Sequence, residues 1–345
     1  ERSSFWLAAG LMMTAAFMTL WMPAQATAAM LFPIAMELSA AMGLRPREST
    51  YGKVLFLSLA WGAMVGSNAS FLGSTRAPLA LGLLQRGYGE TITFVQWFLA
   101  AFPVVAAGLV VGLVVLRAAF RPEAVDLTAA RRSIHQSVAD LGSIGRQQVI
   151  VSLVVGVTVV AWVTMSTRFD LAAVALAAAG ALFLLGVLKW KDLDGYVHWG
   201  IVLMYGGAIA LGEALESTGA ATWLVGGVME GVTVSPWAAV AGLALLTVIL
   251  TALMSNAAAV AVTLPLGFSL AGTLGLSPVT IVLTCSLAAG LDFTFPFSSA
   301  PNTIAYSSGY LGMGDVVRAG AVMTVLQIAL LLVVAWLYWP LIGVL

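Results

Sequence analysis

The sequence predicts an all-α polytopic membrane protein of inverted repeats, each with a re-entrant helical hairpin and a broken transmembrane helix. Three observations predict it. First, 61% of the 345 residues are hydrophobic and 9% are charged, against roughly 25% charged in soluble domains, and the mean hydropathy is +1.02. Second, apolar segments are interrupted by small polar residues and prolines at Pro23-Ala24-Gln25-Ala26-Thr27, Gly73–Pro78, Ser255-Asn256 and Ser298-Ser299-Ala300-Pro301-Asn302. Third, these interruptions fall in matching order in the two halves of the chain. A helix broken inside a bilayer frees backbone N–H and C=O groups, which is tolerated where they line a cavity or bind something. Paired breaks in corresponding halves point to the binding site of a carrier.

The elements follow in order. Apolar limbs at 5–22 and 27–42, joined by a polar tip, read as a hairpin dipping into the membrane. Residues 54–66 and 76–84 read as one helix unwound in its middle, and 94–116 as a full span of about 20 residues. The stretch 117–148 is polar and holds five arginines, so it reads as a cytoplasmic interfacial linker. Spans follow at 148–165, 171–188 and 199–215. The pattern then returns as a hairpin at 237–253 with 257–272, a broken helix at 278–291 with 300–308, and a span at 319–342. The organisation is thus a first repeat over 1–116, the linker 117–148, and a second repeat over 149–345. In the second repeat, residues 149–235 are scaffold helices and 236–345 are the hairpin, broken helix and final span.

Charge sets the orientation. With 117–148 in the cytoplasm, Arg45, Arg47, Lys53, Arg117, Arg121, Arg131, Arg132, Arg146, Lys189, Lys191 and Arg318 all fall inside, while Arg86 and Arg168 fall outside. That is the positive-inside asymmetry of an inner (cytoplasmic) membrane protein. In this threading the two hairpins open from opposite sides, which is the architecture of alternating access.

Composition excludes several function classes. Fifteen basic and fifteen acidic residues cancel, so no bulk charge attracts nucleic acid. Cys285 is the single cysteine, which excludes disulfides and cysteine metal sites within one chain. No glycine-rich phosphate loop of the form G-x-x-x-x-G-K-[ST] occurs, which disfavours primary transport. A membrane-embedded enzyme needs a nucleophile with a base, yet His135 lies in the linker and His198 at a cytoplasmic helix start. A channel has no need of two opposed hairpins. The remaining reading is a secondary carrier.

Several stretches resemble the divalent-anion/sodium symporter (DASS) family. Trp21-Met22 with Thr27 and Ala28–Ile34 is similar to its first signature, and Met254-Ser255-Asn256-Ala257 with Leu264-Pro265 to its second, Ser-Asn-Thr signature. Phe295–Ile304 followed by Ser308-Gly309-Tyr310 resembles its Pro-rich break, and Trp199–Leu203 with Tyr205-Gly206-Gly207 another of its stretches. The resemblance covers essentially the whole chain. It implies a homodimeric elevator-type transporter of dicarboxylates, tricarboxylates or sulfate, without an enzymatic cofactor and with Na⁺ as the coupling ion. It also implies that scaffold helices of the first repeat precede the segment given. Anion exchange and H⁺ coupling are alternatives on the same fold.

The chain departs from the family where Pro23-Ala24-Gln25 replaces Ser-Asn-Thr and where Arg76 takes a place of small neutral residues. Oxygen ligands for a cation are therefore depleted at the first site, while Thr251, Asn256 and Ser298 remain for one Na⁺ at the second. Substrate contacts are expected from Ser255, Asn256, Ser299, Pro301, Asn302, Thr75, Arg76 and Gln25, since hydroxyl and amide donors at half-helix N-termini suit carboxylate or sulfate oxygens. Arg76 is costly in a bilayer, and three roles are open to it. It can clamp the anion, stand as a fixed charge for a missing Na⁺, or pair with Asp292 in the matching break. Asp292 itself is either that ion-pair partner or a coupling group. Expected partners are the small anion, the bilayer and a second copy of the chain, with no nucleic acid.

Overall fold

The computed structural model describes residues 2–120, 144–165, 171–189 and 235–344, with isolated positions between these blocks. Among them the structure is helical. The expected span 199–215, most of the linker 117–148 and the last part of the expected scaffold helices lie outside the described residues.

The first half contains α1 (Arg2–Met18), α2 (Ala24–Ala41), α3 (Thr50–Gly66), α4 (Arg76–Tyr88) and α5 (Phe94–Ala119). Next come α6 (Arg146–Met165) and α7 (Leu171–Leu184). The last block holds α8 (Pro236–Leu253), α9 (Asn256–Leu274), α10 (Pro278–Ala288), α11 (Ala300–Ser307) and α12 (Met313–Leu337). Helices stop where the sequence supplies stop and start residues. Gly89 and Gly275 close α4 and α9 at φ 67°, the left-handed geometry that only glycine adopts without strain. Thr93 and Gln96 form a reciprocal capping box that starts α5. Five described helices, α5, α6, α8, α9 and α12, are long and apolar enough to cross a membrane. Both limbs of the second pair are among them.

The first limb pair differs from the expected hairpin. The principal neighbour of α1 is α3 rather than α2. The cause is a Gly-x-x-x-Gly stripe on α3. A Cβ on Gly62 would lie 2.3 Å from the Met12 carbonyl oxygen, and one on Gly66 would lie 2.5 Å from Ala16 Cα. Small residues at this spacing let two helix backbones touch, so α3 captures α1 along its length. The limbs α8 and α9 do pack on each other, and both rest on α10.

Each broken helix is shared between the halves. The second limb of the first break, α4, packs on α9 and α10, and its counterpart α11 packs on α2 and α3. The long helices α5 and α12 lie side by side, joined where Gln327 Nε2 donates to the Gly108 carbonyl at 3.0 Å; just past the end of α12, Trp339 Nε1 donates to the Ala100 carbonyl of α5 at 3.1 Å. This interlocking brings all four chain interruptions to one place.

Candidate functional site

Four helices begin at the interruptions, and all four N-termini line a single cavity of about 550 Å³. Pro23, Ala24 and Gln25 come from the start of α2, and Ser74, Thr75 and Arg76 from the start of α4. Ser255, Asn256 and Ala257 come from the start of α9, and Ser299, Ala300 and Pro301 from the start of α11. A helix N-terminus carries roughly half a positive charge on its free N–H groups, so the four together bias the cavity toward anions.

Two of the four ends are capped. Ser255 Oγ accepts from Ala258 N at 3.2 Å, and Ser299 Oγ accepts from Asn302 N at 3.4 Å. A hydroxyl that accepts through a lone pair keeps its O–H to donate. Ser299 spends that proton on the Met64 sulfur at 3.2 Å, a weak acceptor that an anion's oxygen outcompetes. Pro23 and Thr75 make no side-chain cap, and Pro23 has no N–H at all.

Among the described residues Arg76 is the one charged side chain on the cavity wall, and it is 4% exposed. Its Nε donates to the Ser286 carbonyl at 2.8 Å. Its Nη2 donates to Asn68 Oδ1 at 2.7 Å and to Ser67 Oγ at 3.3 Å. Ser286 lies in the last turn of α10, and Ser67 and Asn68 directly follow α3. The guanidinium thus sits where two helix C-termini meet, each presenting freed carbonyls and partial negative charge. Both N–H groups of Nη1 lack a protein partner among the described residues. Gly290 lies against the guanidinium so closely that a Cβ there would come 2.2 Å from Nη2.

The expected Arg76–Asp292 ion pair is not made. Arg45 pairs with Glu48 and Lys53 with Asp315, and neither pair involves Arg76 or Asp292. Asp292 Oδ1 instead accepts from Thr294 N at 3.0 Å, and Oδ2, also buried, has no partner among the described residues. The reason is positional: α3 and α10 end at Arg76 and supply neutral oxygens there first. Asn302, expected to touch substrate, does not line the cavity. It is buried behind the wall, where Nδ2 donates to the carbonyls of Phe293 (3.4 Å) and Phe295 (3.3 Å) and ties the loop of the second break to α11.

Of the three residues expected to hold Na⁺, the structure brings two together. Thr251 Oγ1 lies 2.8 Å from Asn256 Oδ1 and 3.2 Å from the Ala289 carbonyl. One hydroxyl proton cannot serve both acceptors, so three oxygens converge with a single hydrogen between them. A helix-end carbonyl is a ligand of the kind that coordinates Na⁺ in broken-helix carriers, and hydroxyl and amide oxygens are likewise hard, neutral oxygen donors. Ser298 lines the cavity, but its Oγ turns to the Phe295 carbonyl at 2.9 Å. Asn256 Nδ2 has no protein partner among the described residues.

Sequence reasoning missed Ser67, Asn68, Ser286, Ala289 and Gly290. Ser67-Asn68 carries a faint signal, because it opens the polar stretch that ends at Arg76. A helix-end carbonyl carries none.

Comparison with known proteins places this site in context. The profile described as the sodium:sulfate symporter transmembrane region matches residues 2–345. An uncharacterized transporter of Haemophilus influenzae is 23% identical over 95% of this chain and 72% of its own length. The sodium-dependent dicarboxylate transporter SdcS of Staphylococcus saprophyticus is 23% identical over 86% of this chain and 61% of its own length. The Na(+)/citrate cotransporter of Rattus norvegicus is 33% identical over 41% of this chain, which is 25% of its own length. The chain therefore spans a part of these relatives. Because the match extends from residue 2 to residue 345, the chain belongs to the sodium:sulfate symporter family, a family of transporters and not of enzymes.

Proposed function

We propose that this chain forms the substrate-carrying part of a secondary active transporter for small divalent anions of the dicarboxylate or sulfate type. It works by elevator-type alternating access and is coupled to one Na⁺. The observation that carries this reading is the convergence of four helix N-termini and the Arg76 side chain on one cavity. Dicarboxylate and citrate transport by Na⁺-dependent relatives supports the substrate class. We read α8 and α9 as a re-entrant pair, because their junction at Ser255-Asn256 faces the same cavity as the two mid-helix breaks. The two repeats, inverted across an inner membrane in a homodimer, supply the two access states.

Arg76 favours a second reading, anion exchange. It has no carboxylate partner among the described residues, so an empty site that moves carries an uncompensated charge into the bilayer. A loaded site is neutralised and moves freely. Both readings are tested by one experiment, the uptake of labelled succinate, citrate and sulfate into proteoliposomes. Na⁺ gradients and unlabelled internal anion are imposed separately. Uptake driven by Na⁺ alone supports symport, and uptake that requires internal anion supports exchange. Absence of uptake for all three anions sinks the carrier reading.

Two variants test the site. Asn256→Ala and Ser299→Ala each remove a donor facing the cavity. A hydrogen bond to a charged group contributes about 1.5–3 kcal/mol, so each variant is expected to weaken anion binding roughly tenfold or more. Unchanged anion-dependent thermal stabilisation in both would show that the assignment is wrong.

Sodium dependence is the next expectation. With oxygen ligands at Thr251, Asn256 and Ala289 and none from Pro23-Ala24 side chains, the Na⁺ dependence of uptake is expected to have a Hill coefficient of about one. Steep sigmoidal dependence would contradict a single site.

A further inference from the structure

We infer that Arg76 is a tethered cation occupying an oxygen cage built at the crossing of two helix ends, and that removing its side chain converts this cage into a second site for free Na⁺. The inference rests on the anion-carrier reading for its effect on transport, but not for the existence of the cage.

The cage is defined by its oxygens. Ser286 O, Asn68 Oδ1 and Ser67 Oγ stand 2.8, 2.7 and 3.3 Å from neighbouring nitrogens of one guanidinium. A backbone carbonyl, an amide oxygen and a hydroxyl make a neutral set with no carboxylate. Ser286 and Ser67 lie at the ends of α10 and α3, whose partial negative charges favour a cation between them. Asn68 is itself held in place, because its own carbonyl accepts from Trp97 Nε1 at 3.0 Å. Gly290 leaves the room the group occupies, since a Cβ there would meet Arg76 Nη2 and Cζ and Asn68 Oδ1 within 2.7 Å.

The Thr251–Asn256–Ala289 cluster has the same composition: one hydroxyl, one amide oxygen and one carbonyl from the end of α10. One cluster is vacant of side-chain charge, and the other is filled by a covalently attached charge. The tether makes the charge permanent at the first break, so the anion meets one cation there without recruiting an ion. Na⁺ is then needed for the other cluster alone.

The test uses the full-length protein in detergent, with Na⁺ as the probe cation, choline as its inert replacement and succinate as the probe anion. Arg76→Ala empties the cage. Na⁺ alone is expected to raise the melting temperature of this variant more than that of the parent. Stabilisation by succinate is expected to depend on Na⁺ with a Hill coefficient that rises from about one to about two. Adding Asn68→Ala removes a cage oxygen and is expected to return the coefficient to about one.

An Arg76→Ala protein that melts cooperatively yet shows no extra response to Na⁺ overturns the inference. So does a coefficient that stays at the parent's value. If Arg76→Ala does not fold, Arg76→Lys decides. Its ammonium offers three N–H groups to three oxygens and is expected to keep the parent's coefficient while binding anion more weakly. A rise to about two in that variant overturns the inference. The Na⁺-alone arm stands even if the parent binds none of succinate, citrate and sulfate, an outcome that sinks the carrier reading and leaves the cage intact.

Discussion

Arg76→Gln is expected to abolish anion binding and transport, and adding Asp292→Asn is not expected to restore either. Glutamine is neutral and long enough to stay among Ser67, Asn68 and Ser286, so it plugs the space without supplying charge. The anion loses the two Nη1 donors and the full positive charge beside them. Hydrogen bonds to charged groups contribute about 1.5–3 kcal/mol each, so the dissociation constant is expected to rise by roughly 100-fold or more. Bidentate guanidinium geometry makes the loss larger than for a single donor. The double variant discriminates, because an Arg–Asp pair broken on both sides is neutral again. In this structure the two residues bind different partners, Arg76 the oxygens at the ends of α3 and α10 and Asp292 the backbone N–H of Thr294. Isothermal titration with succinate, citrate and sulfate, beside melting curves for the parent and for the single and double variants, measures both effects. Recovery of binding in the double variant would make Arg76 a structural counter-charge and leave the anion to helix ends and hydroxyls.

What the sequence made legible follows from what each feature requires chemically. The breaks at Pro23–Thr27, Gly73–Pro78, Ser255-Asn256 and Ser298–Asn302 were visible because proline and small polar residues are conspicuous in a chain with 61% hydrophobic residues. All four do meet at one cavity. Arg76 was visible for the same reason, as a charge in an apolar run. Its partners were not, since they are a carbonyl of α10 and two residues at the end of α3, brought together by packing that no local pattern encodes. Asn302 misled because an amide beside a proline in a break suits substrate binding, yet it suits equally well the task of bonding the loop's own carbonyls. The pairing of α1 with α3 was encoded, in the Gly62-x-x-x-Gly66 spacing, but a sequence divided into limbs and tips draws attention to neighbours in the chain rather than across it.

The second large effect concerns backbone contact rather than charge. Gly320→Ala is expected to destabilise the fold and the second break together. Gly320 lies on α12, and a Cβ there would fall 2.0 Å from the Phe293 carbonyl oxygen and 3.1 Å from Thr294 Cα. These are backbone atoms of the loop that carries Ser298 and Ser299, and they have little freedom to yield. Thr324, one turn further on, holds the same loop by accepting from Phe293 N at 2.9 Å, and the Phe293 carbonyl also accepts from Asn302 Nδ2. Pushing the loop off α12 therefore breaks hydrogen bonds on both of its faces. Overpacking of this kind costs about 1–3 kcal/mol, and more where backbone must shift. Gly242→Ala is the control. It lies inside α8 with nothing within 4 Å of the added Cβ, and alanine in a helix interior is favoured over glycine by about 0.5–1 kcal/mol. Melting temperature in detergent is expected to fall for Gly320→Ala and to hold or rise for Gly242→Ala. Anion-dependent stabilisation is expected to weaken in the first and persist in the second. A Gly320→Ala protein that melts with the parent and binds anion as tightly would mean that α12 does not press on the break, and that Asn302 alone fixes the loop bearing Ser299.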